Sequence, residues 1–171
     1  MFSGEGEERD RTAELADRLG REPRELADAI GTHWRQHDLS PDDIELVRGW
    51  AADRDPRRRE LAHALDEGTD WYVAGEPALV MLGLRGADAV VARPVVEWLR
   101  GTHGLAYLPG IVAVVDAQHL TALGEQVEAV VASRRRSLRM CRYCRRLTPP
   151  EHRFSQDVCH GCATRWFDVV Y

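Results

Sequence analysis

Two CxxC pairs, Cys141/Cys144 and Cys159/Cys162, stand fourteen residues apart near the end of the chain and contain all of its cysteines. No other feature restricts the fold of a segment so tightly. A short turn lets both sulfurs of a pair face one ion. Two such pairs close a tetrahedral four-thiolate shell around zinc while the residues between them loop out as a finger. Thiolates are the soft ligands zinc prefers, and four sulfurs leave no open position for water, so the expected ion is structural rather than catalytic. Two disulfides, or a redox CxxC, are the other readings of four cysteines. Disulfides need an oxidising compartment, and the stretch Met1 to Arg11 is rich in Gly, Glu and Arg, with no apolar core of a signal peptide. A redox CxxC accompanies a βαβ pattern, which this sequence does not show.

At 171 residues and 44% hydrophobic content the chain has room for one core domain and a small accessory module. Its longest apolar run, Leu105 to Val115, is broken by Pro109 and Gly110 and is too short to span a bilayer, so the chain reads as a soluble cytoplasmic protein. All 23 basic residues are arginine, and neither lysine nor asparagine occurs. That bias fits a GC-rich bacterial genome, so the choice of Arg over Lys says nothing about phosphate recognition. The placement of the arginines says more. Residues 132–171 hold nine of them against Glu151, Asp157 and Asp168, a net +6. Residues 1–131 hold fourteen against twenty-five acids, a net −11, which completes the formal −5 of the whole chain. Such polarity suits a polyanionic partner for the tail, or a homodimer in which the tail meets the acidic body of another copy.

Residues 1–10 are polar, acidic and glycine-containing and read as a disordered tail. For 11–132 the expected fold is mainly α with a small α+β element, a helical N-terminal domain. Its start, 12–35, reads as a helix-turn-helix-like hairpin: Leu15, Ala16 and Leu19 recur at helical spacing, Gly20 interrupts, and Leu26, Ala27 and Ile30 resume one face. Ser40-Pro41-Asp42-Asp43 supplies an N-cap, a first-turn proline and acids facing the helix dipole, opening a helix through Ile44, Val47 and Trp50. Asp55-Pro56 opens another, from Arg57 to Leu65. Between 69 and 116, Trp71-Tyr72-Val73 reads as a short strand, Pro77 to Leu84 as a buried helix, Arg93-Pro94 to Leu99 as a further helix, and Gly110 to Asp116 as a buried strand. Leu120, Leu123, Val127, Val130 and Val131 then form one helical stripe that runs into Arg134-Arg135-Arg136. The remainder, 133–171, reads as a basic four-cysteine zinc-finger module.

After Cys162 the run Ala-Thr-Arg-Trp-Phe-Asp-Val-Val can be helical, which places the second pair at a helix N-terminus. This arrangement resembles treble-clef and zinc-ribbon fingers, those of the GATA type and more loosely the finger of the DksA/TraR polymerase-binding regulators. The likeness covers 141–171 and is carried by Cys141, Cys144, Cys159 and Cys162. It implies a Zn2+ cofactor held by these four, and more weakly a transcription-associated partner. The fourteen-residue spacer is shorter than is usual in those families, and His160-Gly161 stands where the GATA knuckle has Asn.

Arg134, Arg135, Arg136, Arg139, Arg142, Arg145 and Arg146 are the candidate phosphate contacts. Their plainer role is to offset the charge of four thiolates and to solvate the finger. Tyr143, Phe154, Trp166, Phe167 and Tyr171 read as the finger's miniature core rather than as stacking partners for bases. In the N-terminal hairpin Arg24 to Arg35 would be the recognition helix, although Glu25 and Asp28 discourage entry into a groove. His33 and His37, at i and i+4 on one helix face, offer a second metal pair, but the intervening WRQ lacks the Glu of a zinc protease. No P-loop, GxSxG or strand-to-helix GxGxxG occurs, so no enzyme is expected. The sequence therefore points to a zinc-finger nucleic-acid-binding protein, a bacterial DNA-binding or transcription-associated regulator. The alternative is a zinc-stabilised adaptor that docks on an acidic protein surface and never meets nucleic acid.

Overall fold

The computed structural model describes residues 11–21, 25, 33–37, 39–65, 68–99 and 105–169. Its centre is an antiparallel meander in sequence order, β1 (Trp34–Gln36), β2 (Asp70–Ala74), β3 (Val80–Arg85), β4 (Asp88–Trp98) and β5 (Leu105–Asp116). The expectation of a mainly helical fold is therefore wrong. The described helices are α1 (Thr12–Leu19), α2 (Pro41–Arg48), α3 (Pro56–Ala64), α4 (Leu120–Ser137) and α5 (His160–Phe167), and the first four cover both faces of that sheet.

Two-sided cover explains why the strands were read as helices. Tyr72, Leu82, Leu84, Ala89 and Val91 pack against Leu15 and Leu19 of α1 and Leu123, Val127 and Val130 of α4. Their alternate neighbours Trp71, Val73, Met81, Val90 and Ala92 pack against Val47 of α2 and Leu61 of α3. A strand buried on both faces is apolar at every position and loses the polar alternation that marks a half-exposed one. Hence Val80-Met81-Leu82, read as part of a buried helix, is β3. The segment from Pro94, read as a helix opening on proline, is extended within β4, and Pro94 lies opposite Pro109 of β5. Trp71-Tyr72-Val73 lies in β2, as a strand, and Gly110 to Asp116 lies in β5, but that strand is not buried as expected: Ile111, Val112 and Val114 are 50%, 51% and 50% exposed.

Local chemistry fixes several helix ends. Ser40 accepts from the Asp43 N–H at 3.2 Å and Asp55 from the Arg57 N–H at 2.9 Å, each with proline at the first helical position. Gly20 ends α1 with φ of 63°, a left-handed conformation that glycine adopts without steric cost. Most of the expected recognition helix lies outside the described residues. Its last two, Trp34 and Arg35, belong to β1 and pair with Ala74 and Val73. The Trp34 N–H donates to the Thr12 hydroxyl at 2.9 Å and ties α1 to this strand. His33 and His37 thus flank a strand instead of sharing a helix face.

Beyond Ser137 the chain forms two small hairpins, β6 (Arg139–Met140) with β7 (Leu147–Thr148), then β8 (Arg153–Ser155) with β9 (Val158–Cys159), and closes on α5. No described helix is long and apolar enough to cross a membrane.

Candidate functional site

The first cysteine pair sits in the β6–β7 turn, where two backbone hydrogen bonds shape the knuckle. The Cys141 N–H donates to the Arg146 carbonyl and the Arg145 N–H to the Cys141 carbonyl, both at 2.9 Å, with Arg145 at φ of 58°. The second pair straddles the start of α5: Cys159 is its N-cap and accepts from the Cys162 N–H at 3.4 Å. A helix N-terminus favours negative charge, so it suits thiolate ligands. The four side chains are free thiols whose sulfurs lie within 4.8 Å of one another.

The donor set fits a four-coordinate ion. Sulfurs at about 2.3 Å from a tetrahedral zinc are about 3.8 Å from each other, and Cys144 Sγ lies 3.8 Å from Cys159 Sγ. Backbone N–H groups of Cys144 and Cys159 bring the Cys141 thiol down to about 6. Burial pushes Cys162 up to about 12 and also raises Cys159. Crowded, buried thiols resist becoming anions, and a divalent cation among them removes that penalty. The cluster is thus compatible with a zinc-binding site. Neither His152 nor His160 belongs to it.

Comparison with protein-family models, curated proteins and solved structures gives no match.

The seven candidate arginines divide. Arg135, Arg136, Arg139, Arg142, Arg145 and Arg146 are exposed. Arg134 is not: it makes a two-pronged ion pair with Glu151, with only 12% and 10% of the two side chains exposed, and donates to the Ala78 carbonyl at 3.1 Å. The last turn of α4 thereby clamps the finger to the β2–β3 turn. Arg153 adds a second tie, donating to the Ser137 carbonyl at 3.4 Å.

The finger's aromatic residues are not its core. Its buried cluster is Cys141, Val158, Cys162 and Ala163, while Tyr143, Phe167 and Trp166 are 40%, 47% and 60% exposed. Tyr143 stacks with Trp166 at 6.4 Å and meets Phe167 edge-on at 5.6 Å. The Arg142 guanidinium lies 4.9 Å over the Tyr143 ring and that of Arg165 lies 5.3 Å over Trp166. So Tyr143, Trp166 and Phe167 form one exposed face edged with arginine. Phe154 is also exposed, and Tyr171 lies outside the described residues.

A cleft of about 1190 Å3 opens between the finger and the edge of the body; Cys144, Cys159 and Cys162 of the cysteine cluster line it together with Arg35, Tyr107, Arg146, Arg165 and one carboxylate, Glu76. Burial, then the adjacent Glu151 carboxylate, pushes the Tyr107 phenol up, so it remains a hydroxyl. The His160 imidazole, also on the wall, is lowered by burial and then by His152. Sequence reasoning set Arg35 at the end of a recognition helix and not beside the finger, and it singled out neither Tyr107 nor Arg165. The first two meet the finger only through long-range folding and carry no local signal; Arg165, next to Trp166 and three residues after Cys162, could have been picked out.

Proposed function

We propose that residues 139–169 form a module held together by zinc on Cys141, Cys144, Cys159 and Cys162, and that the module binds nucleic acid. One observation carries this reading: the exposed Tyr143–Trp166–Phe167 face with Arg142 and Arg165 lying over its rings. Nucleic-acid-binding surfaces combine flat π-faces, on which bases stack, with guanidinium groups that neutralise phosphates. The segment around this face, +6 from its side chains and +4 once four thiolates and one zinc are counted as −2, supplies more of the latter. Arg134, tied to Glu151, leaves the set of phosphate contacts, and Arg165 joins it. Zinc serves structure here: it holds the knuckle that bears Tyr143 against the helix that bears Trp166.

Anisotropy titration of the zinc-loaded chain with single-stranded and duplex probes tests the proposal. Binding at low salt should weaken as salt rises, with log affinity linear in log salt. No binding to either probe at low salt contradicts it.

A second reading, the protein adaptor, is favoured by Met140 and Leu147. They face each other across β6–β7, and both are exposed. An apolar pair on a hairpin is a protein contact rather than a phosphate contact. On that reading the partner binds with little dependence on salt, and the oligonucleotides do not bind.

A further inference from the structure

The cleft between finger and body, together with the aromatic face at its rim, assigns the kind of nucleic acid and its path; this rests on the nucleic-acid reading above. We infer that the ligand is a single strand whose phosphates run through the cleft lined by Arg35, Arg146 and Arg165 while its bases stack outside on Trp166 and Tyr143.

Three observations lead there. First, the cleft is large and open, about 1190 Å3, at the upper end of or beyond the ~300–1,000 Å3 that encloses a small ligand. A groove of that size suits a segment of polymer. Second, three guanidinium groups share the cleft with Glu76 and with the zinc ligands Cys144, Cys159 and Cys162, whose charge they offset, and the three come from separate elements: Arg35 from β1, Arg146 from beside the first knuckle, Arg165 from α5. Positive charge contributed from both walls follows a backbone lying between them. Third, Arg165 belongs to both surfaces, since it lines the cleft and also lies over the Trp166 ring. A strand with phosphates at Arg165 therefore has its next bases beside Trp166 and Tyr143, which stack at 6.4 Å. A duplex hides its base faces in its own stack and cannot use those rings, whereas a single strand can. The body thus takes part in binding through Arg35 and Tyr107, residues far from the finger in sequence.

The test uses the zinc-loaded full-length chain, a labelled deoxythymidine oligomer of about fifteen nucleotides and a duplex of about fifteen base pairs. The single strand should bind at least about tenfold tighter than the duplex, because only it gains the stacking contacts. Its salt slope should be near −2 or steeper, from about three phosphate contacts at about −0.7 each. Arg35→Gln should weaken the single strand by about fivefold at low salt and flatten that slope by about 0.7, and Arg146→Gln, on the exposed knuckle, should do the same. Should Arg35→Gln fail to fold, Arg146→Gln and the photo-cross-link carry the test. A 4-thiothymidine oligomer, whose photoreactive group is on the base, should cross-link to Trp166 and Tyr143 and not to Tyr107 inside the cleft. Duplex binding as tight as single-strand binding, an unchanged slope in Arg146→Gln, or base cross-links at Tyr107 instead of the aromatic face would overturn the path while leaving nucleic-acid binding standing. An acidic peptide such as oligoglutamate that binds as tightly as the oligomer would also overturn it, and would indicate a protein ligand for the cleft. Absence of any oligonucleotide binding removes the underlying functional reading as well.

Discussion

Arg134, in the last turn of α4, and Glu151, in the short turn between the two finger hairpins, form a buried two-pronged ion pair that joins the finger to the body. Sequence alone makes Arg134 one of three arginines capping a helix C-terminus, interchangeable with Arg135 and Arg136. Packing separates it from them. Removing Glu151 leaves a guanidinium buried without its counter-charge, which costs on the order of 3 kcal/mol. Glu151→Gln should lower the melting temperature by roughly 6–12 °C if finger and body unfold together, and in any case should raise amide exchange across 139–169. An Arg134→Met/Glu151→Leu double variant should recover most of the loss, since it buries no unpaired charge. A calorimetric melt of the three proteins decides the matter, and an unchanged Glu151→Gln melt would show that the pair does not hold the finger.

Metal removal should act on one region only. The finger's buried cluster is four residues, two of which are ligands, so without the ion almost no core remains to hold it. The five-stranded sheet keeps its own two clusters. Chelation should therefore abolish amide protection in 141–169 and leave that of β2, β3 and β4 in place. Hydrogen exchange with and without chelator reads this directly, and uniform loss across both regions would contradict it.

Gly83, in β3, tests the sheet that the sequence concealed. A Cβ there would lie 2.7 Å from Thr69 Cγ2 and 3.0 Å from the Trp71 ring, and Trp71 is itself wedged into the core beneath α2 and α3. Thr69 is half-buried, so the closer constraint on relief is the buried Trp71 ring. Gly83→Ala should cost roughly 1–3 kcal/mol in a urea titration without altering metal content. A variant as stable as the parent would mean that Trp71 does not pack across β3.

Trp166→Ala removes the most exposed ring among the described residues of the finger and should leave the far-UV spectrum and melting temperature unchanged. Oligonucleotide affinity should fall by the ~1–3 kcal/mol that one base–aromatic stack contributes. Full affinity in this variant would leave the aromatic face without a role in binding.

What was legible in the sequence was chemistry that neighbours in the chain enforce. The CxxC spacing brought four sulfurs together, the Ser40-Pro41 and Asp55-Pro56 caps opened their helices, and the stripe from Leu123 to Val131 faced inward. What was not legible depended on partners far along the chain. Val80 to Leu84 and Val95 to Val96 are extended because β2 and β5 pair with them, and a continuously apolar run does not disclose that pairing. Trp34 to Gln36 continued a helical pattern in sequence, yet β2 took it as an edge strand. The finger's aromatics looked like a core because small modules need one. The cysteines and Val158 meet that need instead and leave the rings outside.

The account stands on the four-sulfur shell, since the knuckle and helix that carry the aromatic face are joined through it. X-ray absorption at the zinc edge, on protein purified without added metal, measures it most directly. One zinc per chain with four sulfur neighbours at about 2.3 Å and no nitrogen or oxygen is the predicted result. A shell containing histidine nitrogen, iron in place of zinc, or no bound metal would contradict it.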